Sequence, residues 1–498
     1  MNRIRQQVAT SRMAAVALTM LVLLLAGSVR PAQAQTFTSL YTFQGVNGNP
    51  PGSAYPNGLV QGLNGYLYGS AGSNSGGVFR LGPSGETLLH SFDAGGPDTD
   101  GEANGAGLLL ATNGNFYGTS QGNSGGCGGP NGTCGVLYQI TPGGTFTILY
   151  NFCSVSGQNN SCLDGTTTET ALVQATNGDL YGTNQVYGAY NAGTIFKITP
   201  GGALTTLHSF CANGQYEDCP DGAPPYSTLV VGTDGNLYGT TAYGGTNFFN
   251  GTAFKITPGG TFTTIHSFGT GGDLGAYPTG GLVQAANGNF YGTTAVGGST
   301  NHGSFYTMTP GGTVTTLYSF CPTGICTDGQ GPGGLLLATD GNFYGLTVAG
   351  GANNVGTIFQ VTPTGVLTTL HSFDLTDGYG GGMMMQYTSG TLYGTTTNGG
   401  FNYQTCNSCS GTVFSLAMGL SPFVETLPGF GKVGASIKIL GTSLKGATGV
   451  TFNGTPATFT VVSTSEITAT VPAGATTGEV QVITPKGKLS SNLVFRVL

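Results

Sequence analysis

The chain has 498 residues, of which 91 are glycine, 23 are proline and none is tryptophan. Only 7% of the residues are charged and 38% are hydrophobic, so the apolar share is large enough for a folded core and argues against disorder throughout. The glycines follow no strict three-residue period, which excludes a collagen-like chain. At this length we expect more than one domain.

Residues 1–34 have the features of an export signal. Arg3, Arg5 and Arg12 form a basic start, and Met13–Ala26 is a mostly apolar stretch too short to span a bilayer comfortably. Ala32–Ala34 fits a small-x-small cleavage site. No later segment is apolar enough to cross a membrane. We therefore predict a signal peptide, no transmembrane segment after its cleavage, and a secreted, cell-surface or periplasmic protein.

The charge of the remaining chain divides into two parts. Residues 35–418 contain 3 basic and 17 acidic residues, whereas residues 419–498 contain 6 basic and 3 acidic residues. The acidic part argues against a nucleic-acid partner, because binding to phosphates needs a basic surface. The change near Met418 also predicts a domain boundary, between a domain at residues 35–418 and a second domain at 419–498.

All ten cysteines lie in the acidic part and fall into close pairs. An even number of cysteines in an exported protein indicates disulfides, each closing one loop. A zinc site at Cys406-x-x-Cys409 is the alternative, but no second CxxC and no nearby histidine accompany it, so no metal and no other cofactor is predicted. The predicted pairs are Cys127/Cys134, Cys153/Cys162, Cys211/Cys219, Cys321/Cys326 and Cys406/Cys409.

A Tyr-Gly pair marks seven copies of one repeat. An Asn-Gly or Asp-Gly pair precedes it in six copies and predicts a two-residue hairpin turn, because such pairs accept positive φ. Each copy reads as four short strands: an apolar strand, the Tyr-Gly strand, a third strand such as Gly193–Ile198, and after a Pro-Gly turn a fourth such as Leu204–Phe210. The seven tyrosines are Tyr68, Tyr117, Tyr181, Tyr238, Tyr291, Tyr344 and Tyr393.

Four strands per roughly fifty residues predict a β-propeller. The first copy of the fourth-strand motif, Thr36–Phe43, precedes the first repeat, and the last repeat ends after its third strand at Gly411–Leu416. The N-terminal strand can therefore complete the last blade and remove the exposed sheet edges. We predict an all-β protein: a seven-bladed propeller closed by its N-terminal strand, followed by a small β-sandwich.

The order of the hairpins separates the loops into two sets. The turns between strands one and two and between three and four lie at one face, which we call the short-turn face. The loops between strands two and three and between consecutive repeats lie at the other, which we call the long-loop face. All five cysteine pairs fall in the long-loop set. Variable, braced loops on a repetitive scaffold are a usual place for binding.

The C-terminal 80 residues show a different pattern of short strands. Gly434–Leu444 reads G-x-x-x-x-I-x-G-x-x-L, Val450–Gly454 reads V-x-F-N-G, and Val471-Pro472 and Phe495 follow. This order resembles the IPT/TIG family of immunoglobulin-like domains. The resemblance implies a β-sandwich that acts as an extracellular or cell-surface accessory module, without catalytic residues.

The repeats resemble a known bacterial tandem repeat as well. The phrase D/N-G-N-L/F-Y-G-T-T, followed by G-T-x-F-K-I-T-P-G-G and T-T-L-H-S-F, is best seen at Asp234–Phe268 and Asn287–Phe320. It is similar to the GloVer repeat of Gloeobacter and Verrucomicrobia over most of residues 36–416. This resemblance implies a bacterial origin and a repeat fold, and no biochemical activity comes with it.

The titratable residues of the repeats favour structural roles. Histidine and tyrosine interchange at one position of the fourth strand, which indicates a buried polar ring with one hydrogen bond rather than a metal ligand or a base. That position holds His90, His208, His266 and His371, and Tyr41, Tyr150 and Tyr318 in the other copies.

Carboxylates in the long loops are candidates for general acid–base catalysis on a sugar substrate. The alternative is that they are solvated charges of the loops or caps of turns. Asp98–Glu102 also has some features of a calcium loop but lacks the remaining ligand spacing. The candidates are Asp98, Asp100, Glu102, Glu217, Asp218 and Asp221.

Aromatic residues in the loops between strands two and three predict a binding surface. Exposed aromatic rings can stack on sugars or anchor a protein, and the alternative is local packing that supports the loops. We predict a non-enzymatic exported protein that binds a glycan or a cell-envelope protein on the long-loop face. A polysaccharide hydrolase or lyase using carboxylates of that face is the second hypothesis. The predicted ligand-binding residues are Tyr187, Tyr190, Tyr243, Phe248, Phe249, Phe401 and Tyr403.

Overall fold

The computed structural model describes residues 35–43, 55–72, 76–83, 85–92, 100–101, 107–121, 134–157, 162–166, 170–212, 219–246, 250–270, 275–400 and 411–498. These residues form strands, turns and loops and contain no helix, so the predicted all-β class is confirmed. It follows that none of them forms a helix able to span a membrane. The predicted signal peptide lies outside the described residues.

Strands are numbered in chain order, and the first thirty lie before residue 418. They are β1 (Thr36–Thr42), β2 (Pro56–Gln61), β3 (Leu67–Ala71), β4 (Gly77–Gly82), β5 (Gly85–Ser91), β6 (Leu109–Leu110), β7 (Phe116–Thr119), β8 (Val136–Ile140), β9 (Phe146–Asn151), β10 (Val173–Gln174), β11 (Leu180–Asn184), β12 (Thr194–Ile198), β13 (Leu204–Ser209), β14 (Val230–Val231), β15 (Leu237–Thr241), β16 (Thr252–Ile256), β17 (Phe262–Ser267), β18 (Gly275–Ala276), β19 (Leu282–Gln284), β20 (Phe290–Thr294), β21 (Val296–Gly297), β22 (Ser304–Met308), β23 (Val314–Ser319), β24 (Gln330–Leu337), β25 (Phe343–Ala349), β26 (Thr357–Val361), β27 (Leu367–Ser372), β28 (Met384–Gln386), β29 (Leu392–Thr396) and β30 (Thr412–Ala417).

Each repeat forms one antiparallel four-stranded sheet. Six sheets use four strands of a single repeat, in the orders β2-β3-β4-β5, β6-β7-β8-β9, β10-β11-β12-β13, β14-β15-β16-β17, β19-β20-β22-β23 and β24-β25-β26-β27. The seventh has the order β1-β30-β29-β28. In it the N-terminal strand pairs antiparallel with β30, and Phe37 lies opposite Leu416, as predicted.

The Tyr-Gly motif needs a glycine because an aromatic ring of the third strand packs directly against this position. Gly239 in β15 lies opposite Phe254 in β16, and a Cβ added to Gly239 would lie 2.5 Å from the Phe254 Cζ atom. The other six Tyr-Gly glycines have an equivalent clash with a phenylalanine or tyrosine. The buried aromatic ring therefore covers a bare backbone, and this packing repeats in every sheet.

The Asn-Gly turns differ from the prediction. Three residues, Leu63 to Gly65, lie between the paired residues Gly62 and Tyr66, whereas a two-residue turn was predicted. Only the glycine has positive φ (81° at Gly65). This is a type I turn closed by a left-handed glycine, and it leaves the Asn64 side chain free to donate a hydrogen bond to the Tyr68 hydroxyl at 2.7 Å. The asparagine is thus selected for its side chain as well as for the turn.

Among the described residues, a glutamine at the end of the first strand joins its sheet to a neighbouring sheet in four repeats. The Gln386 side chain accepts a hydrogen bond from the Thr339 backbone N–H at 2.9 Å and donates one to the Thr339 hydroxyl at 2.8 Å. Gln61 makes the same two bonds, at 2.9 Å and 3.0 Å, with Thr388 of the last sheet. The first and last repeats are therefore joined by the same contact as the sixth and seventh repeats.

Ten further strands follow residue 418. They form two four-stranded sheets, with the orders β31-β33-β37-β36 and β35-β34-β38-β39, and a parallel pair of β32 with β40. One apolar cluster, drawn entirely from residues after Met418, fills the space between them. The strands are β31 (Glu425–Leu427), β32 (Phe430–Gly431), β33 (Ser436–Leu440), β34 (Gly449–Phe452), β35 (Thr455–Pro456), β36 (Phe459–Val461), β37 (Glu466–Thr470), β38 (Val480–Thr484), β39 (Gly487–Ser490) and β40 (Arg496–Val497).

The C-terminal strands contact the short-turn face of the repeats. The Ser465 hydroxyl donates a hydrogen bond to the Leu63 carbonyl in the first turn at 2.6 Å. The Phe423 N–H donates to the carbonyl of Thr388, in the corresponding turn of the last repeat, at 3.0 Å. Leu427 packs against the apolar cluster of the first two sheets. These contacts all lie on the side opposite the long loops.

Candidate functional site

The long-loop face carries one repeated hydrogen bond between a ring of the fourth strand and an aspartate of the next loop. The distances are 2.7–2.9 Å in five copies. Each ring is half-buried, and the predicted hydrogen bond of the interchanging histidine and tyrosine is present at these positions. The pairs are His90–Asp100, Tyr150–Asp164, His208–Asp221, Tyr318–Asp328 and His371–Asp377.

The same aspartates also hold backbone groups. Asp221 accepts hydrogen bonds from the Cys211 N–H at 3.1 and 3.2 Å, and its carbonyl accepts one from the Thr252 hydroxyl at 3.1 Å in the next sheet. Asp328 repeats the arrangement with the Cys321 N–H and the Thr357 hydroxyl. Each such aspartate therefore fixes the loop to the strand before it and to the sheet after it.

Burial and the neighbouring carboxylate both raise the pKa of the tyrosines in these pairs. The pKa of Tyr150 and of Tyr318 is raised, first by desolvation and then by the hydrogen bond to Asp164 or Asp328. Both phenols remain protonated donors, because ionisation would place a second negative charge beside the aspartate. They are suited to bracing the loop and not to proton transfer.

Each histidine of the set also stacks on a phenylalanine of the next sheet. The ring centroids of His208 and Phe262 are 3.9 Å apart with the planes at 2°, and those of His371 and Phe37 are 4.0 Å apart at 6°. Phe37 belongs to the N-terminal strand. This strand therefore occupies the place of a fourth strand in packing as well as in pairing.

Disulfides brace the same loops. Three of the predicted pairs are formed: Cys153–Cys162, Cys211–Cys219 and Cys321–Cys326. Cys134 is disulfide-bonded, while its predicted partner Cys127 and the predicted pair Cys406/Cys409 lie outside the described residues. The sulfurs of Cys321 and Cys326 approach His302 closely, but a disulfide offers no thiolate for a metal.

The predicted aromatic residues have different surroundings. Tyr190 is 44% exposed. Tyr187 is half-buried and packs against the cluster around Cys153 and Cys162, and Tyr243 is half-buried with its ring edge-on to Tyr277 at 4.8 Å. The latter two support their loops by local packing. The other four predicted residues, Phe248, Phe249, Phe401 and Tyr403, lie outside the described residues.

Two exposed tyrosines were missed by the sequence analysis. Tyr55 is 43% exposed and Tyr226 is 39% exposed, and both lie in loops between consecutive repeats. Together with Tyr190 they are the exposed tyrosines among the residues that the structure describes, and all three belong to the long-loop face. The predicted residues came only from loops between strands two and three. An aromatic residue shortly before a first strand, as at Tyr55 and Tyr226, would have been the signal.

The fold has solved relatives among β-propeller proteins. A fungal alcohol oxidase of the AA5 family, in complex with copper, is 12% identical with a TM-score of 0.50, over 93% of this chain and 100% of that one. Streptogramin B lyase is 13% identical with a TM-score of 0.47, over 77% and 97%. PQQ-bound aldose sugar dehydrogenase from Streptomyces coelicolor is 11% identical with a TM-score of 0.39, over 78% and 99%. At such identities the likeness concerns the fold alone. No curated protein matches the sequence.

The repeat itself identifies the family. Two overlapping segments, residues 158–327 and 250–462, match the Gloeobacter/Verrucomicrobia repeat, and together they span more than half of the chain. They contain the Tyr-Gly strands, their covering aromatic rings and the aspartate braces of the middle and last sheets. The chain therefore belongs to the Gloeobacter/Verrucomicrobia repeat family.

Proposed function

We propose that residues 35–418 form a closed seven-bladed β-propeller and that residues 419–498 form an IPT/TIG-like sandwich. Two contacts support closure: β1 supplies the fourth strand of the last sheet, and Gln61 holds Thr388 as Gln386 holds Thr339. The separate apolar cluster of the C-terminal strands supports the division into two domains. Disulfides in the long loops support export through the proposed signal peptide, because they persist in oxidising compartments.

We infer that the protein is an exported, non-enzymatic binding protein whose long-loop face takes a glycan or an envelope protein, with a glycan favoured. The observation that carries this proposal is the set of exposed tyrosines, Tyr55, Tyr190 and Tyr226, on the long-loop face. Tyr226 lies in a loop that the His208–Asp221 pair and the Cys211–Cys219 disulfide hold, so little conformational entropy is lost there on binding. The C-terminal strands contact the opposite face, where they would serve as a spacer or docking unit.

Glycans suit this surface because the two faces of a sugar ring differ in polarity. A tyrosine ring can cover the apolar C–H face while its hydroxyl forms hydrogen bonds at the edge. The acidic repeat region would disfavour polyanionic glycans, so a neutral polysaccharide is the expected class.

A hydrolase or lyase acting on a polysaccharide is the alternative function. Of its candidate carboxylates, Asp100 and Asp221 each bond a histidine, and Asp221 also accepts from the Cys211 N–H, which fits a structural role. Asp98, Glu102, Glu217 and Asp218 lie outside the described residues. Release of reducing or unsaturated sugar ends by the wild-type protein, lost in the Asp221→Asn variant, would favour this alternative.

The binding proposal is tested on a glycan array and by titration of the best ligand. We expect Tyr190→Ala and Tyr226→Ala each to weaken binding about tenfold, the range for losing an aromatic anchor. Val366→Ala is the control, because Val366 is exposed (63%) in a turn of the opposite face, and it should bind normally. Equal binding by all three variants, or no glycan and no envelope protein bound by the wild type, would contradict the proposal.

A further inference from the structure

The first strands of the repeats surround a cavity of about 330 Å³. This volume falls in the range of small-molecule sites. Its walls are aliphatic side chains from the first, second, third, sixth and seventh sheets. They are Leu59, Val60, Leu108, Leu109, Leu110, Leu172, Leu336, Leu337, Met384 and Met385.

The C-terminal domain supplies the remaining wall. Glu425 and Leu427 of β31 and Leu440 of β33 line the cavity together with Asn492. Since these strands contact the turns after Gln61 and Gln386, they lie at the short-turn end of the cavity. The site is therefore built from both domains, and neither domain forms it alone.

The polar groups of the cavity are few. Gln61 and Gln386 line it, but each side chain is already bonded to a threonine of the neighbouring repeat. The Glu425 side chain forms no hydrogen bond or ion pair with any residue that the structure describes, and it is exposed, so a ligand in the cavity can reach its carboxylate. No lysine or arginine is among the lining residues. Glu425 is thus the one ionisable group in an aliphatic space.

Its surroundings make Glu425 a receptor for positive charge. Desolvation raises the pKa of this carboxyl, and no nearby cation lowers it again. A carboxylate in such a place gains most from a ligand that brings the missing opposite charge together with apolar surface. A neutral alcohol would supply the apolar part alone, and a carboxylate ligand would add repulsion.

We propose that this cavity binds a small aliphatic amine, with its ammonium group on Glu425 and its hydrocarbon part against the leucine and methionine side chains. The site is separate from the long-loop face, and its occupation is independent of glycan binding there. The negative charge of Glu425 favours an amine over an alcohol or an acid. The long aliphatic wall of the cavity favours an unbranched or lightly branched hydrocarbon chain.

The test is isothermal titration of the full mature chain with n-octylammonium, n-octanol and n-octanoate. We expect the wild type to bind octylammonium about tenfold more tightly than octanol, because a charge pair with Glu425 adds to the apolar contact, and octanoate more weakly than either. In Glu425→Gln the affinity for octylammonium should fall to that for octanol, while octanol binding is kept.

Two further variants make the result specific. Glu479→Gln removes an exposed carboxylate of the same domain that does not line the cavity, and it should behave as wild type. Leu109→Trp fills the cavity and should weaken all three probes; thermal melts establish that each variant is folded. Octylammonium binding that is absent in the wild type, unchanged by Glu425→Gln, or matched by octanoate would overturn the proposal.

Discussion

At the scale of single residues, the repeat is held together by specific contacts between the residues of its motifs. The asparagine of the first turn holds the hydroxyl of the Tyr-Gly tyrosine four residues later, as between Asn177 and Tyr181 at 2.9 Å. The glycine after that tyrosine makes room for the aromatic ring of the third strand. The recurrence of the motif is thus explained by packing and hydrogen bonding, and it does not indicate catalysis.

Gly239→Ala tests this packing. The added Cβ would lie 2.5 Å from Phe254 Cζ and 3.0 Å from Leu229 Cδ2, both buried, so we expect overpacking to lower the free energy of unfolding by about 1–3 kcal/mol. Gly201→Ala is the control, since its Cβ would meet only the Thr199 hydroxyl oxygen at 3.8 Å. Urea denaturation measures both, and equal midpoints for the two variants would show that the ring is not held against the glycine.

At the scale of elements, the fourth strand of each repeat and the loop after it form one unit. The aspartate closes the unit through a ring, a backbone N–H and a hydroxyl of the following sheet. Disulfides reinforce it in three of the described loops. The aspartate contacts recur in loops of different length. They are therefore compatible with the different spacings between repeats along the chain.

Tyr318→Phe removes one bond of this unit. The Tyr318 hydroxyl donates to Asp328 at 2.7 Å, and its loss should lower the free energy of unfolding by about 1.5–3 kcal/mol, the range for a hydrogen bond to a charged group. Hydrogen exchange should show the faster opening confined to the loop around Cys321–Cys326. Tyr190→Phe serves as the exposed control. If protection of that loop is unchanged in Tyr318→Phe, the bond does not brace it.

At the scale of the whole molecule, the N-terminal strand supplies one edge strand of the last sheet. Phe37 stacks on His371 and contacts Phe373 and Phe414, so the strand is anchored in the core of the last two sheets. The C-terminal strands lie across the short-turn face and close one end of the cavity.

Deletion of residues 35–43 tests the proposed closure of the propeller. The last sheet would keep three strands and expose the edge of β30, so we expect a lower melting temperature and self-association, because a free strand edge pairs with other chains. Size-exclusion chromatography and thermal melts compare the deleted chain with the chain that starts at Gln35. Adding a peptide of residues 35–43 should restore the monomer. A deleted chain that stays monomeric with an unchanged melting temperature would refute the closure.

The strands of the repeats, the pairing of Thr36–Phe43 with the last repeat and three of the disulfides could be predicted from the sequence. These features depend on neighbours in the chain or on a pattern that recurs, and both are visible in the order of residues. The predicted two-residue turn was wrong. The observed turn has three residues and allows the Asn64 side chain to donate a hydrogen bond to the Tyr68 hydroxyl.

The sequence by itself determined the repeat, its four strands and the two sets of loops, because the alternation of apolar residues and turn residues is a local property. Only the tertiary structure decided which aspartate meets which ring, six to fourteen residues away across loops of different length. It alone brought Glu425 to the leucines of the first strands, hundreds of residues earlier in the chain. Such encounters depend on how sheets and domains pack, and no local pattern records them.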